Sequence, residues 1–384
     1  MIVNADARFI PLADESVNCV ITSPPYYGLR NYGVDGQLGL EQTPDEYVAN
    51  MVAVFRECKR VLKDDGTLWV NIGDSYASNG EVGQTDDATQ WRKGVLENGK
   101  RSRGRGAGNG IKPKDLIGIP WMLAFALRAD GWYLRQDIIW AKPNPMPESV
   151  KDRCTKSHEY IFLLSKSARY YYDNEAVKEP VSDVSMKRAE YGWDCDRPST
   201  KNGSMGGEGI HTEKMGSRFV DPAGRNKRDV WTVTTKPYKG AHYATYPPDL
   251  ITPCILAGAP ETCCAKCGAP YERITEEIQD ERPFRDGSQT KAGNAGTERR
   301  LGANGWNLPT KKHNTTGYQP TCTCNAGTSS GIVFDPFVGS GTTVATAVKL
   351  GRRGVGLDLS MKYLRENARE RIYQEEMQPV LCTR

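Results

Sequence analysis

The chain has 384 residues, with 51 Lys and Arg against 47 Asp and Glu, and 11 cysteines. Its hydrophobic fraction of 38% is enough for a packed core and excludes a largely disordered chain, while its net charge of +4 decides nothing by itself. The longest uncharged apolar run, Leu116 to Leu127, is too short to span a bilayer, and the N-terminus lacks the features of a signal peptide, so we expect neither a membrane protein nor a secreted disulfide scaffold.

Apolar patterns alternate between strand and helix along most of the chain. They predict strands at 16–22, 67–72, 133–140, 160–164, 331–334 and 354–357, and helices at 44–62, 116–129, 250–257, 342–349 and from 360 onward. A turn is expected at Asp65-Gly66, just before the second strand. Such alternation is typical of an α/β fold in which helices cover both faces of a mixed, mostly parallel sheet.

Two stretches of the chain are strongly basic. Residues 92–114 carry a net charge of +7, and residues 197–239 carry +5 together with three aromatic side chains. Clustered cations neutralise phosphate groups, although a basic loop is also compatible with a plain solvated surface. The side chains that we predict to contact a polyanion are Arg101, Arg103, Arg105, Arg225, Lys227 and Arg228.

The first chemical motif, Thr22-Ser-Pro-Pro-Tyr-Tyr27, directly follows the first of these strands. Its two prolines stiffen the backbone and remove two N–H donors, so that the local carbonyls are expected to point outward as acceptors. Ser23 adds a hydroxyl oxygen, and Tyr26 adds a flat aromatic face. Acceptors beside a stacking platform can hold the exocyclic amine of a planar base; a proline-rich turn capped by tyrosine is the alternative interpretation.

The second motif, Phe334-Asp-Pro-Phe-Val-Gly-Ser-Gly-Thr-Thr343, is a glycine-rich turn between a strand and a helix. It lacks the Gly-Lys-Ser/Thr ending of a phosphate-binding loop, and Val344 stands where the dinucleotide fingerprint has its third glycine. Asp358 follows at the end of the next strand, where a carboxylate can accept both ribose hydroxyls. The pattern therefore favours an adenosyl ligand without phosphates.

Together the two motifs resemble the amino-methyltransferases of DNA, the S-adenosylmethionine enzymes that methylate cytosine N4 or adenine N6. The catalytic motif precedes the cofactor motif, which resembles the circularly permuted, beta-type order of this family. The segments 1–6, 139–149 and 242–250 are similar to the family as well, and the last of them should wall the cofactor pocket. The resemblance implies a Rossmann-like methyltransferase fold that binds S-adenosyl-L-methionine.

The resemblance also implies a role for each motif residue. Tyr26 would stack on a base flipped out of the duplex, and Ser23 and the Pro24 carbonyl would accept hydrogen bonds from the amine of that base. The implied catalytic residues are thus Ser23, Pro24, Pro25 and Tyr26. The positions implied to bind the cofactor are Asp6, Asp335, Pro336, Phe337, Gly339, Gly341, Thr342, Thr343 and Asp358, with the ribose on Asp358 and the adenine near Asp6.

The choice of target base depends on one residue. A serine before the two prolines is more often seen in the cytosine-N4 enzymes of the family and an aspartate in the adenine-N6 enzymes, so Ser23 favours cytosine N4 and leaves adenine N6 open. Methylation at cytosine C5 would need a nucleophilic cysteine, and Cys254, the nearest match, is better explained as a buried helix residue. A non-catalytic DNA-binding protein and an enzyme acting on RNA or protein stay as alternatives.

Five of the cysteines fall between residues 263 and 324. Cys264 and Cys267 have the two-residue spacing and trailing glycine of a zinc knuckle, and Cys322 and Cys324 would complete a tetrahedral metal site. Free thiols are the alternative, because a long gap separates the two pairs and the second pair has a one-residue spacing. Any zinc bound here would be structural, since four thiolates leave no open position for chemistry.

The motifs predict how the chain is divided. We expect a catalytic half at 1–177 with a basic loop at 75–114, a target-recognition region at 178–239, a return segment of the core at 240–262, a small cysteine-rich insert at 263–328 and a cofactor-binding half at 329–384. Double-stranded DNA is the expected partner, without a membrane; a homodimer and a cognate restriction endonuclease stay open. The expected location is the cytoplasm of a bacterial cell, infected by phage or not.

Overall fold

The structure is a computed structural model that describes residues 1–29, 31, 33–77, 111–182, 184, 224–235, 246–279 and 311–376. In this part of the chain the strands are β1 (Ile2–Asn4), β2 (Val17–Thr22), β3 (Leu62–Ile72), β4 (Tyr133–Ala141), β5 (His158–Ser165), β6 (Val230–Thr232), β7 (Cys263–Cys264), β8 (Tyr271–Gln279), β9 (Lys311–Pro320), β10 (Thr328–Ser329), β11 (Ile332–Asp335) and β12 (Arg353–Asp358). The helices are α1 (Pro44–Val61), α2 (Ile119–Ala129), α3 (Pro248–Gly258), α4 (Thr342–Lys349), α5 (Met361–Tyr363) and α6 (Arg369–Glu376), with a π-helical turn at Leu364–Ala368.

Eight of these strands form one sheet in the order β1-β12-β11-β2-β3-β5-β4-β6. The five strands from β1 to β3 in this order all run parallel, and β6 runs parallel to β4. Only β5 breaks the pattern, since it is antiparallel to both β3 and β4. The predicted α/β fold with a mixed, mostly parallel sheet is confirmed.

Helices pack on both faces of this sheet. Every residue of β2 is buried, as is usual for a central strand covered on both sides. Its successive side chains divide between two hydrophobic clusters: Val20 packs with residues of α1 and α2, whereas Cys19 and Ile21 pack with residues of α3. The alternation follows from the two-residue period of a strand and places one core on each side of the sheet.

The N-termini of the two helices on the first face are formed differently. Thr43 and Glu46 make a capping box at the start of α1, and Pro44 occupies its first turn. The start of α2 was expected at residue 116, but the helix begins at Ile119 because Gly118 adopts a left-handed φ of 86°. The carboxylate of Asp74, far away in sequence, accepts the N–H groups of Gly118 and Ile119 and supplies the missing cap.

The predicted turn at Asp65-Gly66 is wrong, because these residues lie inside β3. The register between β2 and β3 changes from Val17 opposite Leu62 to Cys19 opposite Thr67, so the extra residues of β3 form an irregularity within the strand. The Asp-Gly pair thus interrupts the pairing with β2 without ending the strand, because the pairing resumes at Thr67.

The chain separates into two compact units. The first comprises Met1–Val177, Arg228–Tyr271 and Pro320–Arg384, and the second comprises Lys178–Lys227 and Glu272–Gln319. In the described part of the second unit β8 pairs with β9, and the Arg273 guanidinium lies 5.4 Å from the Tyr318 ring centroid. No helix among the described residues is long and apolar enough to cross a membrane.

Candidate active site

A pocket lies where four neighbouring parallel strands end. β1, β12, β11 and β2 all present their carboxyl ends at the same edge of the sheet, the edge at which open α/β sheets bind ligands. The residues that follow these ends line the pocket. They include these sequence-predicted site residues: Asp6, Ser23, Pro24, Pro25, Tyr26, Asp335, Pro336, Phe337, Gly339, Thr342 and Asp358.

The other two predicted cofactor residues, Gly341 and Thr343, are not part of this lining. Gly341 caps α4 with a left-handed φ of 82°, and a side chain there would meet the backbone of Ala368 at 3.0 Å. Thr343 is fully buried, and its hydroxyl donates to a carboxylate oxygen of Asp335 at 2.5 Å. Both residues thus shape the glycine-rich turn from behind the pocket wall.

Asp335, the last residue of β11, is buried among hydrogen-bond donors of the protein itself. Its Oδ1 accepts from the hydroxyl of Thr22 at 2.7 Å and from the N–H of Phe337 at 3.0 Å, and its Oδ2 accepts from Thr343 and from the hydroxyl of Tyr246 at 3.2 Å. Burial raises the pKa of Asp335 to about 6, although these hydrogen bonds act in the opposite direction. The carboxyl therefore ties the start of the glycine-rich turn to β2 and to the segment before α3.

Asp358, the last residue of β12, holds both neighbouring loops of the pocket. Its Oδ2 accepts from the N–H of Gly339 at 3.0 Å, and its Oδ1 accepts from the N–H of Ser360 at 2.7 Å. Burial raises the pKa of this carboxyl. Because a carboxylate offers about four acceptor positions, two bonds leave room for ligand hydroxyls.

Asp6 stands at the rim of the pocket in an ion pair with Arg8. The guanidinium and the backbone N–H of Arg8 both donate to the Asp6 carboxylate, with an Nη2–Oδ2 distance of 2.5 Å. The hydrogen bond from the Arg8 side chain holds the pKa of Asp6 below its ordinary value. Of the three carboxyl groups that line the pocket, that of Asp6 is therefore the one whose ionised form is most favoured.

The catalytic motif is positioned from the opposite side of the pocket. The hydroxyl of Tyr26 donates to Oε2 of Glu159 at 2.8 Å, and the amide of Asn71 donates to the same Tyr26 oxygen at 3.1 Å. The Lys142 ammonium pairs with the other oxygen of Glu159. Burial, followed by the charge of Glu159, raises the pKa of Tyr26 well above its ordinary value, so the phenol stays protonated and its ring is held at the hydroxyl end.

One expectation about this motif is wrong. The carbonyl of Pro25 was expected to point outward as a free acceptor, but it accepts a hydrogen bond of 2.9 Å from the hydroxyl of Tyr47 in α1. Tyr47 is fully buried, so the bond ties the proline turn to the helix beneath it. A buried phenol needs a partner, and the nearest proline carbonyl satisfies it.

Comparison with known proteins decides the family. The family model for N6/N4 DNA methylases matches residues 17–262 and 322–369, which is most of the chain. The chain belongs to the N6/N4 DNA methylase family. It is 48% identical over 246 residues to the Type II methyltransferase M.Cfr9I of Citrobacter freundii, covering 64% of this chain and 67% of the relative. It is 45% identical over 254 residues to the Type II methyltransferase M.SmaI of Serratia marcescens, covering 65% and 70%.

Two solved structures resemble the chain more distantly. One is a candidate DNA modification methylase of Thermus thermophilus complexed with S-adenosyl-L-methionine, with 16% identity, 98% of this chain and 95% of that chain covered, and a TM-score of 0.48. The other is the PvuII DNA methyltransferase (cytosine-N4-specific), with 13% identity, coverage of 98% and 90%, and the same TM-score. The family assignment rests on the sequence matches alone.

Sequence reasoning missed several residues that hold the pocket-lining side chains of this DNA methylase in place. It assigned no role to Asn71, Lys142 or Glu159, which hold Tyr26, or to Thr22, which holds Asp335. The available signal was a buried polar side chain inside an apolar strand, as for Asn71 in β3. The expected wall segment 242–250 is described only from residue 246 onward, and there Tyr246 lines the pocket.

The structure brings the four predicted metal ligands of this family member together. The sulfur atoms of Cys264, Cys267, Cys322 and Cys324 all lie within 4.8 Å of one another. Cys263 is outside this group and is buried in the pairing of β7 with β10. Cys254 is buried in α3, as the sequence predicted. It does not line the pocket, so it is not positioned to act as the nucleophile of cytosine-C5 methylation.

The predicted DNA contacts are only partly described. Arg101, Arg103 and Arg105 lie outside the described residues. Arg225 and Lys227 lie 3.3 Å and 3.9 Å from the carboxylate of Glu179, and the Arg228 carbonyl accepts a hydrogen bond from Trp231. The recognition region 178–239 is described at 178–182, 184 and 224–235.

Proposed function

We propose that the protein transfers the methyl group of S-adenosyl-L-methionine to the exocyclic amine of a base flipped out of double-stranded DNA, with cytosine N4 as the target. The observation that carries this proposal is the shared pocket of the two motifs, with the serine, prolines and aromatic ring on one side and the acids and glycine-rich turn on the other. An amine acceptor and a methyl donor must meet for direct transfer, and one pocket holding both brings them together.

The charge of the pocket supports the cofactor. Three carboxyl groups, those of Asp6, Asp335 and Asp358, line it, whereas no lysine or arginine of the described chain does so. Such a lining disfavours phosphates and suits a ligand that carries a sulfonium and an ammonium group, which are the cationic groups of S-adenosyl-L-methionine. Asp358 would hold the ribose hydroxyls, Asp6 would lie near the adenine, and the backbone from Phe337 to Gly341 would face the methionine part. When bound, the cofactor supplies an electrophilic methyl group.

The opposite wall would hold the base. Tyr26 offers an aromatic face for stacking, and its position is set by Glu159 and Asn71 at its hydroxyl. Ser23 and the Pro24 carbonyl would accept hydrogen bonds from the target amine and orient its lone pair toward the methyl group. Behind this wall, the buried Oδ1 of Asn71 has no hydrogen-bond partner in the described part of the chain. Extrusion of the base is required because an amine within a duplex cannot line up with the donor.

The neutral residue at position 23 favours cytosine N4 over adenine N6. Ser23 brings a hydroxyl rather than a second carboxylate, and the one carboxylate beside Tyr26, that of Glu159, is already paired with Lys142. The acceptor set around the amine is therefore uncharged. The two relatives described above are Type II methyltransferases, and a place in a restriction–modification system within a bacterial cytoplasm follows as part of the same proposal.

The motif order supports a beta-type, circularly permuted chain, because the catalytic motif at 23–26 precedes the cofactor turn at 334–343. In this proposal 1–177 forms the catalytic half, 178–239 recognises the target sequence, 240–262 returns to the core and 329–384 forms the cofactor half. The basic side chains of the recognition region would contact DNA phosphates.

Product analysis tests the proposed function. The purified protein is incubated with unmethylated genomic DNA and with S-adenosyl-L-methionine that carries a labelled methyl group. The DNA is then digested, and its nucleosides are identified by mass spectrometry. We expect label in N4-methylcytosine, in duplex DNA and not in RNA. Label in N6-methyladenine would overturn the choice of base, and the absence of label from every duplex would favour the non-catalytic DNA-binding alternative.

The substitution Asp358→Ala tests the cofactor side of the pocket. It removes the expected acceptor for the ribose and also the partner of the Gly339 and Ser360 N–H groups. We expect the Kd for S-adenosyl-L-methionine, measured by calorimetry, to rise by roughly 10- to 100-fold, as for the loss of a charged hydrogen bond. Glu261→Gln, which changes an exposed acid outside the pocket, is the control. An unchanged Kd in Asp358→Ala would remove this residue from the cofactor site.

A further inference from the structure

We propose that Cys264, Cys267, Cys322 and Cys324 bind one structural Zn²⁺ ion. Their sulfur atoms all lie within 4.8 Å of one another, although 54 residues separate the two pairs in sequence. Around a tetrahedral zinc with bonds of about 2.3 Å, sulfur atoms stand roughly 3.8 Å apart. The observed cluster is thus close to the size of a four-thiolate zinc site.

The turn between the first two cysteines has the form of a zinc knuckle. The N–H of Gly268 donates to the Cys264 carbonyl at 2.8 Å, and Gly268 takes a left-handed φ of 66° that only glycine adopts at little cost. The N–H of Cys264 in turn donates to the carbonyl of Ala269 at 2.9 Å. These two bonds close a tight turn around the first cysteine pair.

The charge of the neighbouring groups suits a thiolate site. Four thiolates and one Zn²⁺ carry a net charge of −2, and zinc binding releases the thiol protons to solvent. The ammonium of Lys63 lies beside the knuckle, where it donates to the carbonyl of Cys267 at 2.9 Å. A cation held at this carbonyl offsets part of the negative charge of the site.

The position of the cluster indicates what the metal does. The chain leaves the first unit after Tyr271 and returns to it at Pro320, so one cysteine pair precedes this excursion and the other follows it. Within the protein the two ends are joined by the pairing of β7 with β10, two residues each, by the pairing of β8 with β9, and by a hydrogen bond from the Thr321 hydroxyl to the Pro270 carbonyl. A zinc ion would close the long loop at its base and remove loop-closure entropy from the unfolded chain.

A role in the methyl transfer itself does not fit this site. None of the four cysteines lines the pocket, and a complete set of thiolate ligands leaves no position for water or substrate. The proposal is therefore independent of the proposed function, and its test uses metal content and stability.

Metal analysis of the full-length protein, purified without chelators or metal columns, is the first measurement. We expect about one zinc per chain. Less than roughly a tenth of an equivalent, another metal in its place, or cysteine pairs found as disulfides by mass spectrometry would each overturn the proposal. Because this measurement uses the unaltered chain, it holds even if cysteine variants fail to fold.

Substitutions then locate the metal. Cys267→Ser and Cys322→Ser, one from each pair, are expected to lose most of the zinc, whereas Cys154→Ser, an exposed cysteine outside the cluster, should keep it. Exchange into Co²⁺ should give the intense visible absorption of tetrahedral thiolate coordination, and a chelator should lower the Tm of the wild-type protein. Full zinc content in both cluster variants, or octahedral Co²⁺ spectra, would contradict the assignment.

Discussion

Replacing Tyr26 with alanine is expected to lower kcat/KM for DNA methylation by about 5- to 150-fold, which corresponds to the roughly 1–3 kcal/mol of one base–aromatic stacking contact. The ring of Tyr26 lines the pocket, and its hydroxyl is held by Glu159 and Asn71. Its position is therefore set before any base arrives. Methyl transfer to bulk unmethylated genomic DNA measures the effect without knowledge of the recognition sequence.

The matched variant Tyr26→Phe separates the ring from the hydroxyl. It keeps the stacking face and removes only the hydrogen bonds to Glu159 and Asn71, so we expect a smaller loss of activity than in Tyr26→Ala. Affinity for S-adenosyl-L-methionine, measured by calorimetry, should stay near the wild-type value in both variants. A large loss of cofactor affinity in Tyr26→Ala, or equal activity of all three proteins, would contradict the stacking role.

Asp335→Asn is expected to change how stability depends on pH. Burial raises the pKa of Asp335 to about 6 from an ordinary value of 3.8, so between these two values the folded protein binds a proton that the unfolded chain has lost. The stability that this carboxyl contributes is fully present below pH 3.8 and is lost as the pH rises through about 6. The size of this pKa shift corresponds to a loss of about 3 kcal/mol in the free energy of unfolding.

Asparagine stays neutral at every pH and retains one carbonyl acceptor. The stability of Asp335→Asn relative to wild type should therefore improve between pH 4 and pH 7, by an amount approaching that loss. Denaturant unfolding of both proteins at pH 4, 5, 6 and 7 measures the difference, and Glu261→Gln controls for the loss of a carboxylate elsewhere in the chain. A difference that does not vary with pH would show that Asp335 is ionised equally in both states.

The structure gives Asp335 a role within the protein itself. The resemblance implies that it binds the cofactor, and its two oxygens also receive bonds from Thr22, Thr343, Tyr246 and Phe337. We infer that it orders the glycine-rich turn, whose backbone then faces the ligand. Asp358, with two protein bonds, has more capacity left for ligand hydroxyls.

Local sequence signals determined most of the sheet and both motifs. The predicted strand at 16–22 and helix at 342–349 match β2 and α4 within one residue, because a buried apolar strand and a capped amphipathic helix are each specified by neighbouring residues. The same reasoning placed Ser23 and Asp358 directly after strands, and the carboxyl ends of parallel strands meet at one edge of a sheet. Two separated motifs therefore line one pocket.

Contacts between distant residues decided the rest. The cap of α2 comes from Asp74, the carbonyl of Pro25 is taken by Tyr47, and Tyr26 is held by Glu159, which lies 133 residues away. No local pattern encodes such pairs, because each depends on which buried polar groups meet after the sheet has formed. Composition likewise gave a net charge near neutrality and 11 cysteines. Only the tertiary structure lined one pocket with acids and gathered the sulfur atoms of four of those cysteines within 4.8 Å of one another.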